Sequence, residues 1–84
     1  TKSMAIDLAP EVRVNAVAPG YVATQLTAPL QEDARLQASI LDRTPLGRFA
    51  EPAEVAAPVV FLASDAAAYM TGTVLSIDGG WTAR

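Results

Sequence analysis

The chain has 84 residues, of which 51% are hydrophobic and 18% charged, and its net charge is −3. This composition is typical of a single small globular domain and excludes a disordered polypeptide. The sequence has neither cysteine nor histidine, which excludes disulfides, thiol nucleophiles and histidine triads within it. Its six Lys and Arg residues are scattered, which excludes a basic patch for nucleic acid.

Two further features concern the location of the protein. No signal peptide is visible at Thr1, and the longest apolar stretch, residues 55–63, is too short for a membrane helix. We therefore expect a cytoplasmic protein without membrane or nucleic-acid partners, and the lack of cysteine agrees with that location.

The first predicted element is the end of a helix at residues 1–10. Met4, Ile6 and Leu8 give it an apolar side, and Pro10 ends it. Because no turn precedes it, we expect the helix to begin before residue 1 and the chain to be one portion of a longer domain.

A strand is predicted over residues 12–18, which are rich in valine and are followed by Pro19-Gly20. The small apolar residues after Asn15 are typical of a strand that is buried on both faces in a parallel sheet. We expect Asn15 itself to order a loop or a buried water.

The middle of the chain predicts helices. Residues 26–43 carry an apolar stripe that indicates one or two short helices, and residues 44–47 form a turn. Residues 52–64 predict a stronger helix, because Pro52 suits its first position and acidic residues lie near its positive end. We expect a local bend at Pro58, which removes one backbone hydrogen bond.

The last part of the chain predicts a short turn, a strand and a tail. Ser64-Asp65 can cap the turn at residues 66–70, and the strand covers residues 73–77. Residues 78–80 predict a tight turn in which the Asp78 side chain bonds nearby amides. Trp81 then lies in an exposed tail, and Arg48 is expected to pair with Glu51 or Glu54.

The order of helix, strand, helices and strand predicts an α/β fold with a parallel βαβ unit. Ligands of such sheets bind beyond the carboxyl ends of the strands, which directs attention to residues 19–24. Gly20 allows close approach of a flat ligand, and the amides of Tyr21, Val22 and Thr24 are expected to be free to bind it. An ordinary turn between strand and loop is the alternative.

The sequence resembles the short-chain dehydrogenase/reductase family over essentially its whole length. The stretches that carry the resemblance are VRVNAVAPGYVAT at residues 12–24 and GRFAEPAEVAAPVVFLASDAAAYMTGTVLSIDGG at residues 47–80. The resemblance implies the C-terminal edge of a Rossmann-like doubly wound parallel sheet. Residues 1–84 would be the C-terminal portion of one NAD(P)-binding domain, and residues 25–46 would be its substrate lid.

The resemblance also implies a binding site for NAD or NADP. The backbone of Val22 would bond the nicotinamide carboxamide, and the Thr24 hydroxyl would reach the carboxamide or a phosphate. Pro19 and Gly20 would shape the pocket floor. Tyr21 and Leu26 are the candidates to face the substrate.

The catalytic residues of that family are not found in this sequence. The family uses a Tyr and a Lys four residues apart with a Ser upstream, but Gln25 follows Tyr21 and Thr73 follows Tyr69 at that spacing. The glycine-rich phosphate loop is also absent. We expect these residues N-terminal to this chain, expect no metal ligands, and expect the chain alone to be inactive.

The expected partners are the N-terminal half of the same domain and further copies in a dimer or tetramer. Family members associate through the last helix and strand, which would place Val74 and Trp81 at that interface, although Trp81 could instead cover the pocket within the chain. The lid resembles dehydrogenases of sugar acids such as gluconate. The alternatives are a 3-oxoacyl-carrier-protein reductase and a non-catalytic packing or oligomerisation module.

Overall fold

A computed structural model describes residues 1–83 of the chain. The main elements are α1 (Lys2–Leu8), β1 (Ala16–Pro19), α2 (Ala28–Glu32), α3 (Ala34–Asp42), α4 (Pro52–Ala63) and β2 (Val74–Ile77). Short 3-10 helices follow α4 at Asp65–Ala67 and β2 at Trp81–Ala83. The order of elements agrees with the sequence prediction, and the middle of the chain forms two separate helices, α2 and α3.

The two strands pair in parallel, with Ala16 opposite Val74 and Pro19 opposite Ile77. Helices α2, α3 and α4 connect them, so the unit is the predicted βαβ arrangement. This confirms the α/β fold class. Both strands end at the same edge of the sheet, which brings the loop after β1 next to the turn after β2.

Strand β1 is shorter than predicted, since it begins at Ala16 and not at residue 12. Side chains make several of the bonds before that point: the Val14 amide donates to Thr71 Oγ1, and Asn15 Nδ2 donates to the Met70 carbonyl, while the Val14 carbonyl accepts from the Gly72 amide. The Asn15 side chain also accepts from the Thr73 amide at 3.1 Å. Asn15 therefore orders the approach to β2, in agreement with its predicted structural role.

The prediction that β1 is buried on both faces is wrong for the described residues. Ala18 and Pro19 are exposed, and Ala16 and Val17 are half-buried. The reason is that β1 has one strand neighbour, β2, and contacts one helix, α4. A strand acquires two buried faces only when helices cover both sides of its sheet.

Helix α4 begins as the sequence predicts. Pro52 occupies its first turn, and Glu54 Oε1 accepts from the Glu51 amide at 2.9 Å. Both terminal guanidinium nitrogens of Arg48 donate to the Glu54 carboxylate at 2.7 Å. Of the two expected partners, Arg48 therefore pairs with Glu54 and not with Glu51. The helix runs through Pro58 without a break, and the bend at Pro58 remains a prediction.

The short turn after α4 is not capped as predicted. The Ser64 hydroxyl donates back to the Phe61 carbonyl at 2.6 Å and makes no cap bond to the 3-10 helix at Asp65–Ala67. The hydroxyl satisfies an end carbonyl of α4, because such carbonyls lack a partner within the helix.

The interior is small. The buried apolar residues are Ala5, Ile40, Phe49, Leu62 and Ala67. Thr44 is a buried polar residue, and its hydroxyl donates to the Ile40 carbonyl at 2.9 Å. Among residues 1–83 no helix is long and apolar enough to cross a membrane.

Candidate functional site

The carboxyl ends of β1 and β2 border an open cavity of about 330 Å³. Pro19, Gly20 and Tyr21 line it from the β1 side, and Asp78 and Trp81 line it from the β2 side. Pro19, Gly20 and Tyr21 were predicted for the site from the sequence, and the structure brings these three together. Val22, Thr24 and Leu26 do not line this cavity.

Gly20 lies where the two strand ends approach each other most closely. A Cβ atom at this position would lie 3.0 Å from Asp78 Cα and 3.1 Å from Asp78 Cβ. The Gly20 amide also donates to the Ile77 carbonyl at 3.0 Å. The glycine thus makes room for the chain's own second strand, a structural reason that sequence reasoning did not identify.

Val22 forms an isolated parallel bridge with Ala50, which precedes α4. The bridge consists of bonds from the Ala23 amide to the Ala50 carbonyl at 2.7 Å and from the Ala50 amide to the Tyr21 carbonyl at 2.9 Å. In this pattern the N–H and C=O of Val22 itself point away from Ala50. Within residues 1–83 the Val22 amide has no recorded acceptor, so it is available to a ligand.

The amide of Thr24 is not free, contrary to the sequence prediction. It donates to Thr27 Oγ1 at 3.0 Å. The chain turns into α2 directly after Thr24, and this turn brings the Thr27 hydroxyl back over the loop. The Thr24 side chain remains exposed, and its hydroxyl has no recorded partner in the described part of the chain.

Three aromatic rings, from Tyr21, Phe49 and Trp81, form what we term the aromatic cluster. The Tyr21 ring centroid lies 5.9 Å from that of Phe49 and 5.5 Å from that of Trp81, and both pairs are tilted. Arg43, at the end of α3, places its guanidinium carbon 4.4 Å from the Trp81 ring centroid. These spacings are favourable for aromatic and cation–π contacts.

The aromatic cluster corrects the description of Trp81 as an exposed tail residue. Trp81 is half-buried and belongs to a 3-10 helix, because the turn at residues 78–80 directs it back onto Tyr21. Phe49 and Arg43 were missed as neighbours of the site, since only tertiary contacts bring them there. Of the two substrate candidates, Tyr21 is 39% exposed beside the cavity, whereas Leu26 is 90% exposed and lies outside it.

A smaller cavity of about 80 Å³ lies behind Tyr21 and is lined by Arg48, Glu54 and Asp78. The hydrogen bond from Arg48 and the bond from the Glu51 amide lower the pKa of Glu54 to about 2. The carboxylate of Glu54 in turn raises the pKa of Arg48. These two groups remain charged at neutral pH and form a structural ion pair, not a proton-transfer pair.

Asp78 behaves as the sequence predicts. Its carboxylate accepts from the Gly80 amide at 3.0 Å and from the amide and hydroxyl of Thr82. The hydrogen bond from the Thr82 hydroxyl, followed by those from the Gly80 and Thr82 amides, lowers the pKa of Asp78. The residue stabilises the turn after β2, and its oxygens are occupied within the chain.

The arrangement favours binding over proton transfer. It offers a Val22 amide that points away from Ala50 and an exposed Thr24 hydroxyl, in the same loop as the Tyr21 ring. A nicotinamide carboxamide, which presents one acceptor oxygen and two donor hydrogens, fits such donors and acceptors. Within residues 1–83 no group of three or more acidic, cysteine or histidine side chains could hold a metal ion.

Comparison with known proteins gives matches along nearly the whole chain. Residues 1–82 match a family model described as enoyl-(acyl carrier protein) reductase. A curated relative, the 2-dehydro-3-deoxy-D-gluconate 5-dehydrogenase of Pseudoalteromonas atlantica, is 52% identical over 73 residues, which are 87% of this chain and 29% of that protein.

Two solved structures have the same fold as this chain. A 4-hydroxyisoleucine dehydrogenase complexed with NADH matches with a TM-score of 0.96 and 34% identity over 100% of this chain and 35% of its own. A protein from Brucella melitensis described as a short-chain dehydrogenase/reductase and glucose/ribitol dehydrogenase matches with a TM-score of 0.87 and 36% identity, over 96% of this chain and 32% of its own. The chain thus spans about a third of the length of the proteins that it matches.

Proposed function

We propose that this chain, which belongs to the short-chain dehydrogenase/reductase family, is part of an NAD(P)-dependent oxidoreductase acting on a secondary alcohol or ketone. Residues 1–84 would form the C-terminal portion of its single Rossmann-fold domain, with residues 25–46 as the substrate lid. The observation that carries the proposal is the unpartnered amide of Val22, which points away from Ala50 beyond the carboxyl end of β1.

The cofactor would lie with its nicotinamide against residues 19–24. The Val22 amide would donate to the carboxamide oxygen, the Thr24 hydroxyl would bond the carboxamide or a phosphate, and Pro19 and Gly20 would form the pocket floor. The bound nicotinamide supplies hydride chemistry. The use of this edge is supported by the general position of ligands in open α/β sheets and by the relative complexed with NADH.

The residues of this chain would orient the reactants and exclude water, while proton transfer would use a Ser, a Tyr and a Lys in a preceding portion of the domain. Glu54 and Asp78 are unsuited to that transfer, because hydrogen bonds stabilise their charged forms. Without the preceding portion the chain would be inactive.

The substrate would be a sugar acid or a related polyol. The lid resembles that of sugar-acid dehydrogenases, and a curated relative is named as a dehydrogenase of 2-dehydro-3-deoxy-D-gluconate. Tyr21, beside the cavity, and Leu26, on the exposed lid, would face it. The description of the matching family model favours an acyl-carrier-protein reductase as the second candidate.

The partners would be the preceding portion of the domain and further copies of the protein. Val74 in β2 and Val60 in α4 are 52% and 67% exposed, which leaves apolar surface on both elements for such contacts. We place the enzyme in the cytoplasm.

The test is hydride transfer by the protein as its gene encodes it. Gluconate, 2-dehydro-3-deoxy-D-gluconate, galactitol and a 3-oxoacyl thioester are offered with either nicotinamide cofactor, and reduced cofactor is followed by absorbance. Turnover of the sugar compounds is expected. Turnover of the thioester alone would favour the second candidate, and failure to bind either cofactor in calorimetry would refute the proposal.

A further inference from the structure

The Thr27 hydroxyl bonds to three neighbouring residues. Its hydrogen is shared between the Val22 carbonyl at 2.5 Å and the Thr24 carbonyl at 3.2 Å, and its oxygen accepts from the Thr24 amide at 3.0 Å and from Gln31 Nε2 at 3.1 Å. A hydroxyl group has one donor hydrogen and two acceptor lone pairs. The hydrogen-bonding capacity of this hydroxyl is therefore fully used, and two of its three partners belong to the loop after β1.

The position of Thr27 makes this arrangement unusual. Thr27 immediately precedes α2, where a threonine hydroxyl commonly accepts from the first amides of the helix. No such cap bond is present. The hydroxyl is turned back toward the loop, so the bonds to Val22 and Thr24 replace the local capping bond.

These contacts fix the peptide units around Val22 from two sides. The bridge to Ala50 holds the Tyr21 carbonyl and the Ala23 amide on one side. Thr27 holds the Val22 carbonyl and the Thr24 amide on the other side. The Val22 amide is thereby held pointing away from Ala50, and the Thr24 backbone is fixed close to it in the chain.

We infer that Thr27 is a positioning residue for the nicotinamide end of the cofactor. It would not touch the cofactor itself, but its hydroxyl would hold the Val22 peptide and the Thr24 backbone in the orientation that binds the carboxamide. This inference rests on the proposed function of residues 19–24. It adds Thr27, from the proposed lid at residues 25–46, as a residue that would affect only the nicotinamide end of the cofactor.

The experiment measures dissociation constants by calorimetry in the protein as its gene encodes it. The ligands are the nicotinamide cofactor and the matching ADP-ribose, which lacks the nicotinamide. Thr27→Val keeps the shape of the side chain but removes the hydroxyl. It is expected to weaken cofactor binding about five- to tenfold, the effect of losing one hydrogen bond, and to leave ADP-ribose binding within about twofold.

Two variants control for the loss of the hydroxyl. Thr27→Ser retains it and is expected to restore cofactor binding to within about twofold of the unmodified protein. Gln31→Met removes only the bond on the helix side and is expected to leave both affinities within about twofold. Should Thr27→Val fail to fold, Thr27→Ala removes the same hydroxyl with a smaller side chain and is measured in the same way.

Thr24→Val separates the failure of this inference from the failure of the proposed function. If Thr24→Val weakens cofactor binding while the loss of the Thr27 hydroxyl does not, the inference is overturned and the proposed site stands. It is also overturned if loss of that hydroxyl weakens the cofactor and ADP-ribose equally, since a general structural defect would do so. If neither threonine affects the binding of a cofactor that does bind, the inference is overturned, whereas a protein that binds neither cofactor refutes the proposed function as well.

Discussion

At the scale of single residues, Glu54 has the largest electrostatic role that the structure reveals. Its carboxylate accepts two bonds from Arg48 and one from the Glu51 amide, which joins the segment before α4 to the first turn of that helix. These bonds favour the ionised form and lower its pKa from 4.5 to about 2. The stabilisation is therefore complete above pH 4.5 and is lost as the pH falls toward about 2.

We predict that Glu54→Gln lowers the thermal midpoint at neutral pH of the protein as its gene encodes it. The difference from the unmodified protein should shrink as the pH falls from about 4.5 to about 2, because protonation removes the same interaction. The effect is modest, since the two side chains are 54% and 43% exposed. Midpoints measured by circular dichroism over this range test it, with Glu32→Gln on the exposed surface as control. A difference that does not change with pH would contradict the prediction.

At the scale of elements, the end of α3 is attached to the turn after β2. The Leu46 amide donates to the Gly79 carbonyl at 3.0 Å, and a Cβ atom at Gly80 would lie only 2.8 Å from Pro45 Cγ. The cation–π contact of Arg43 with Trp81 adds a third connection. These contacts cross a long separation in sequence and make the position of α3 depend on the residues after β2.

Trp81→Ala is expected to loosen α3 without affecting α1. Loss of the ring removes the contacts with Arg43 and Tyr21, and a partly exposed cation–π contact stabilises by about 0.5–1 kcal/mol. Hydrogen exchange followed by mass spectrometry should show α3 amides exchanging several-fold faster. Arg43→Gln should have a smaller effect, since Tyr21 still packs on the ring. Unchanged exchange in α3, or equal acceleration in α1, would rule out this role of Trp81.

At the scale of the whole molecule, residues 1–83 leave much apolar surface uncovered. The radius of gyration is 15.5 Å, whereas about 12 Å is typical of a compact domain of this length. The accessible surface is 5926 Å², against about 4800 Å² for a folded monomer of this mass. Ile6 in α1 and Val60 in α4 are 78% and 67% exposed, so apolar surface on both helices is open to solvent.

The 84-residue chain on its own should therefore lack a cooperative thermal transition and should bind a dye that reports exposed apolar surface. Five buried apolar residues cannot offset the conformational entropy of ordering the chain. Differential scanning calorimetry and dye fluorescence test this, with the whole gene product as control. A sharp transition of a monomeric chain without dye binding would show that these residues fold independently.

Much of the fold could be predicted from local signals. The helices of the lid segment, α4 and the turn at residues 78–80 are specified by Pro52, by Gly79 and Gly80 at positive φ, and by apolar periodicity. Such features act within a few residues and are readable in the sequence. The resemblance of residues 12–24 and 47–80 to one family likewise needed no coordinates.

The site could be predicted only in part. The structure has residues 20–24 directly after the carboxyl end of β1, as expected, and their binding of a cofactor stays a prediction. The engaged Thr24 amide and the hydrogen bonds of Thr27 were not foreseen. The beginning of β1 was also predicted wrongly, and Trp81 is not an exposed tail residue but lies beside the cavity against Tyr21, in line with the alternative given for it. In each case the deciding contact is made by a side chain or ring whose partner cannot be read from the sequence pattern.

The sequence by itself determined the order of elements, the α/β class and the family, because these follow from local conformational preferences and from residues that occur in a fixed order. Only the tertiary structure decided which amides remain available to a ligand. A backbone group is free or engaged according to what packs against it, and here Ala50, Thr27 and Asp78 are brought to the loop by the parallel pairing of β1 with β2 and by the turn into α2.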